Sequence, residues 1–96
     1  AVTDMGGMFI RASNFNQDIS KWDVAKVTHM VRMFEMAHRF NGNLGTWDTS
    51  AVTDMSGMFK QASSFNQNIS SWNTAKVTDM TSLSSGASRF IAHVIC

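Results

Sequence analysis

The chain has 96 residues and a net charge of +1, with charges of both signs scattered along it. That length allows one domain with a thin core, and that charge balance gives no strong pull on nucleic acid or an anionic membrane. A single cysteine, Cys96, excludes an internal disulfide, and no apolar run approaches a membrane span or the core of a signal peptide.

Taken from the amino end, the chain repeats itself every 25 residues. A valine row runs Val2, Val27, Val52, Val77, followed by the threonine row Thr3, Thr28, Thr53, Thr78. Methionines follow at Met5, Met30, Met55, Met80 and at Met8, Met33, Met58, where Leu83 takes the fourth place. Phe9, Phe34 and Phe59 come next, then Ala12, Ala37, Ala62 and Ala87, then Phe15, Phe40, Phe65 and Phe90. Each of the first three units closes on a tryptophan, Trp22, Trp47 and Trp72. A fixed period of this length is the mark of units that stack on one another.

Within a unit, Met5, Met8, Phe9 and Ala12 stand at i, i+3, i+4 and i+7, which predicts one face of a short helix. Thr3 and Asp4 before them suit its start, by capping and by charge. A polar turn carrying Phe15 comes next. The stretch around Ser20 to Val24 then predicts a short strand, with Trp22 and Val24 on one face and Lys21 and Asp23 on the other. Such strands would pair in parallel between units, with the helices as crossovers. The predicted fold is therefore α/β: a short solenoid with a parallel sheet on one side and short helices on the other. Residues 1–96 form a single repeat domain of about four units, with an atypical C-terminal coil at 83–96 where Ser84 replaces a core phenylalanine and no fourth tryptophan arrives.

At the segment Val-Thr-Asp-Met-Ser-Gly-Met-Phe-Lys-Gln-Ala-Ser-Ser-Phe-Asn-Gln-Asn-Ile-Ser-Ser-Trp-Asn-Thr, Val52 to Thr74, the chain resembles the BspA-like leucine-rich-repeat surface proteins, in the form repeated in mycoplasma-type surface lipoproteins. The resemblance covers Ala1 to Phe90. It implies a right-handed leucine-rich-repeat-like coil, a role in binding or adhesion, and a place at the cell surface or outside the cell, although no signal peptide is visible here. It implies no catalytic residues.

The residues themselves point to binding rather than catalysis. An outward ladder is expected from Lys21, Thr46 and Ser71 beside Asp23, Asp48 and Asn73, and stacked faces of this kind commonly bind proteins. The equivalent reading without a ligand is a solvated face. The amides Asn16, Asn41, Asn66, Gln17 and Gln67 are expected to satisfy the backbone of neighbouring units. The methionines carry core spacing rather than that of a copper site, and His29, His38 and His93 fall at unrelated places. No serine sits in a glycine elbow and no glycine-rich phosphate loop occurs, so an enzyme is not expected and no metal or cofactor is implied. Apolar residues at the end of the chain, Ile91, Val94, Ile95 and the thiol of Cys96, predict self-association into a homodimer. A purely structural self-assembling unit, or a piece of a longer array, is the alternative. A protein or host-surface ligand is the expected partner, with no nucleic acid and no membrane insertion.

Overall fold

The structure, a computed structural model, describes residues 2–86. Its building block is a run of tight turns. In the first unit Met8 N–H donates to Met5 C=O at 3.2 Å, Ile10 to Gly7 at 3.1 Å and Ala12 to Phe9 at 3.0 Å. The turns are possible because Gly7 and Arg11 take left-handed backbone angles, φ 66° and 60°. The same two places are left-handed in every unit: Arg32 and Met36, Gly57 and Gln61, Ser82 and Gly86.

The residues between use their amides differently. Met5, Gly7, Phe9 and Arg11 donate to the carbonyls of His29, Val31, Met33 and Glu35 in the next unit, at 2.7–2.9 Å. The second unit repeats this onto the third, and the third onto the fourth. Alternate amides thus close local turns or reach the neighbouring unit, so both sets are satisfied. Asp4, His29, Asp54 and Asp79 lie in one row, joined by isolated parallel bridges.

The expected α/β architecture is not what forms. Among the described residues there is no helix, and strand pairing is limited to those isolated bridges, so no parallel sheet backed by short helices exists. Two left-handed residues four apart cannot belong to a right-handed helix. The amide of Phe9, which a helix would bond four residues back, is spent on Met33. The expected strand at Ser20 to Val24 is also a turn. Trp22 N–H donates to Ile19 C=O at 3.1 Å, and Val27 to Val24 at 3.0 Å. Asp23 Oδ1 then accepts from Ala25 N–H, folding the backbone tightly where a strand would stay extended. Nor does the threonine row cap helices. Thr28, Thr53 and Thr78 each direct both amide and hydroxyl at the threonine carbonyl of the preceding unit.

Burial nevertheless follows the periodic pattern. Met30, Met33, Phe34, Ala37 and their counterparts Met55, Met58, Phe59 and Ala62 are fully buried. Two columns of rings run through the stack. Phe9, Phe34 and Phe59 follow one another at 5.4 and 5.7 Å, and Phe15, Phe40 and Phe65 at 5.7 and 5.9 Å. Within each unit the two rings lie 4.1–4.3 Å apart and nearly parallel. Trp22, Trp47 and Trp72 tilt against the first column at 5.8, 6.5 and 6.3 Å. The phenylalanine pairs are stacked, a geometry favourable beyond the area that it buries.

Candidate functional site

The polar ladder expected from the sequence lies on the surface. Lys21, Asp23, Thr46, Asp48, Ser71 and Asn73 are all exposed. Turns rather than strands position them. Asp23, Asp48 and Asn73 each accept, through Oδ1, the amide two residues on: Ala25 at 3.1 Å, Ser50 at 3.0 Å and Ala75 at 3.0 Å. One turn chemistry therefore repeats at three successive units and fixes three polar side chains in the same local pose.

Electrostatics follow from those bonds. The Ser50 hydroxyl donates to Asp48 Oδ1 at 2.6 Å, and with the Ser50 amide it holds the Asp48 carboxyl below the usual carboxylate range. Asp18 is lowered in the same way by Ser20, with help from the charge of Lys21. The second carboxylate oxygens of Asp23 and Asp48 have no partner among the described residues.

The other half of the ladder serves the stack. Thr46 Oγ1 donates to Ser20 C=O at 3.2 Å, and Ser71 Oγ donates to Gly45 C=O at 2.9 Å. Lys21 stands at the same place in the first unit with an ammonium instead. The amide row behaves as the sequence suggested. Asn41 N–H donates to Asn16 Oδ1 and Asn66 N–H to Asn41 Oδ1, while Gln67 Nε2 reaches Asn41. Of the expected self-association residues, Ile91, Val94, Ile95 and Cys96 lie outside the described residues.

Sequence reasoning passed over a hollow of about 280 Å³ lined by Arg32, Ser56, Gly57, Lys60, Asp79, Thr81 and Ser82. Beside it the buried Glu35 places Oε1 at 3.6 Å from Arg32 Nε, with no hydrogen-bond partner. Asp79 is held below the usual range by Thr81. The signal was in the sequence as departures from the repeat. Arg32 stands in a row with Gly7, Gly57 and Ser82, and Glu35 and Lys60 stand in a row with Ile10 and Ser85. The hollow mixes both signs of charge and contains none of the ladder residues. A second hollow, about 290 Å³, is lined by Asn16, Gln17, Asp18, Ser20, Gly42 and Asn43. Among the described residues no group of three or more His, Cys, Asp or Glu is placed to hold a metal, and no helix is long and apolar enough to cross a membrane.

No curated protein and no solved structure matches the chain. A family model matches residues 1–95, and the chain belongs to that family, described as Mycoplasma protein of unknown function, DUF285.

Proposed function

We propose that the chain is a non-enzymatic interaction or adhesion module, whose ladder of Lys21, Asp23, Thr46, Asp48, Ser71 and Asn73 meets a protein partner and which self-associates through its C-terminal coil. The observation carrying the first part is the repeated turn at Asp23, Asp48 and Asn73. One oxygen of each carboxylate is tied into its turn, so the side chain is held before a partner arrives and little rotamer freedom is lost on binding. The oxygens of Asp23 and Asp48 left without a partner are acceptors for cationic groups, and arginine is the best match for a carboxylate. The partner is therefore a protein surface presenting arginine. The resemblance to BspA-like surface proteins supports a host-surface ligand of this kind.

An array of arginine-containing peptides, probed with the intact chain and with Asp48→Asn, which removes the charge and keeps an acceptor for the turn, tests the reading. Binding that is weakened about tenfold or more in the variant, at unchanged melting temperature, supports it. An array that stays blank with the intact chain, or that binds both proteins equally, removes the ladder as the site.

A further inference from the structure

The hollow of about 280 Å³ lies between three successive units. Arg32 comes from the second, Gly57 and Lys60 from the third, and Asp79 from the fourth. It exists because the repeat loses a side chain there. The row that carries Arg32 carries Gly57 and then Ser82. Gly57 is buried with φ +63°, which favours glycine. The stem of Arg32 crosses it: a Cβ on Gly57 would meet Arg32 Cγ at 3.2 Å and Glu35 Oε1 at 3.9 Å.

The charges around the hollow are only partly paired. Arg32 Nε lies 3.6 Å from Glu35 Oε1, an oxygen sealed from solvent and without a hydrogen bond. Glu35 therefore balances the charge of Arg32 and offers no contact of its own. Lys60 is half-buried, and its ammonium has no hydrogen bond or ion pair among the described residues. Asp79 is half-buried as well. It spends Oδ1 on the Thr81 amide at 2.9 Å and forms no ion pair among the described residues. One cation and one anion thus line the same space without pairing, each partly removed from water. Such groups cost free energy until a partner arrives.

We propose that this hollow binds a small free α-amino acid, its carboxylate against Lys60 and the outer guanidinium nitrogens of Arg32, its ammonium against Asp79. Lys60 and Asp79 leave one charge of each sign, and a zwitterion supplies the opposite of both. A guanidinium fork beside an ammonium suits a carboxylate. The volume falls just below the about 300–1,000 Å³ typical of pockets for drug-sized ligands, so the ligand is compact. Ser56, Thr81 and Ser82 add hydroxyls, and no aromatic or large apolar side chain lines the space, so a polar side chain like that of serine fits. No ladder residue takes part, and the site is separate from the face proposed to meet a protein.

The test is calorimetric titration of the intact chain with L-serine, N-acetyl-L-serine, L-serinamide, glycine and inorganic phosphate. L-Serine is expected to bind, and either cap to weaken binding about tenfold or more, because each leaves one charge in the hollow unpaired. Absence of binding by both L-serine and glycine overturns the proposal. N-acetyl-L-serine or phosphate binding as tightly as L-serine marks a plain anion site and also overturns it. Lys60→Gln and Asp79→Asn then remove the two charges one at a time. Asparagine keeps the turn acceptor, as Asn43 and Asn68 do in their own turns. In Lys60→Gln the amide cap is expected to lose most of its cost while the acetyl cap keeps it; in Asp79→Asn the reverse holds. Ligand-observed NMR reads the weaker complexes. A badly folded variant cannot lose the cost of one cap and keep that of the other, so the crossed pattern reports the contacts themselves. Variants that feel both caps as the intact chain does overturn the assignment. Asp48→Asn is expected to bind L-serine unchanged, which separates this site from the ladder.

Discussion

The indole Nε1 of Trp47 donates to the carbonyl oxygen of Ile19, in the preceding unit, at 3.0 Å. That carbonyl also accepts the amide of Trp22 at 3.1 Å, so both its lone pairs are used. The bond ties the turn of one unit to the core residue of the next. Trp47→Ala is expected to cost about 3–5 kcal/mol, because a nearly buried ring leaves a cavity between two units. Trp47→Phe keeps most of the ring volume and loses one hydrogen bond, about 1 kcal/mol. Trp22→Ala, at the exposed end, is expected to cost about 1–2 kcal/mol. Urea melts of the three variants check the order.

Backbone handedness gives a second prediction. Gly57 has φ +63°, and an added Cβ would sit 3.2 Å from Arg32 Cγ. Gly57→Ala is expected to cost about 1–2 kcal/mol. Gln61 holds φ 58° with a side chain attached, and Gln61→Gly is expected to gain about 0.5–1 kcal/mol. Chemical denaturation reads both changes, and a stabilised Gly57→Ala would mean that this turn does not need its left-handed residue.

Asn41 joins three units. Its amide bonds Asn16, and its side-chain oxygen accepts from Asn66 and Gln67. Asn41→Ala is expected to destabilise by about 1–2 kcal/mol, and Asn16→Ala by less, since Asn16 Oδ1 accepts one bond, from Asn41 N–H, where Asn41 Oδ1 accepts two. Comparing the two melting temperatures checks the ordering.

Acid should weaken the turns at Asp18, Asp48 and Asp79. Hydrogen bonds from Ser20, Ser50 and Thr81 lower these carboxyl pKa values in the folded chain. A depressed folded pKa means that the unfolded chain binds protons first as pH falls. The stabilisation is therefore whole above the unfolded carboxylate range, and it is lost as pH falls through the folded values below about 4. Asp18 and Asp48 are exposed and Asp79 is half-buried, so the slope is shallow. Asp48→Asn keeps the turn, as Asn73 shows in the equivalent place, and is expected to flatten the pH dependence of unfolding at its site.

The core was legible from spacing and the backbone was not. The rows of Met, Phe, Ala and Trp named the buried residues, and Met30, Met33, Phe34 and Ala37 lie where the period puts them. A helix and this chain of turns both bring residues at i, i+3, i+4 and i+7 to one side, so periodicity alone cannot tell them apart. The deciding marks were Gly7, Gly57 and Gly86, inside or just beyond the predicted helix at places that require positive φ. Arg32 and Met36 hide the same requirement, because ordinary side chains occupy left-handed positions there.

By itself, the sequence determined the unit length, the rows that are buried and the polar residues left on the surface, because side-chain hydrophobicity and a fixed period survive any local geometry. Only the tertiary structure decided that the backbone turns instead of forming helix and sheet. A left-handed residue is tolerated where its own amide finds a carbonyl in the next unit, as those of Gly7 and Arg11 do at Val31 and Glu35, and those carbonyls are distant in sequence and near only once the units stack.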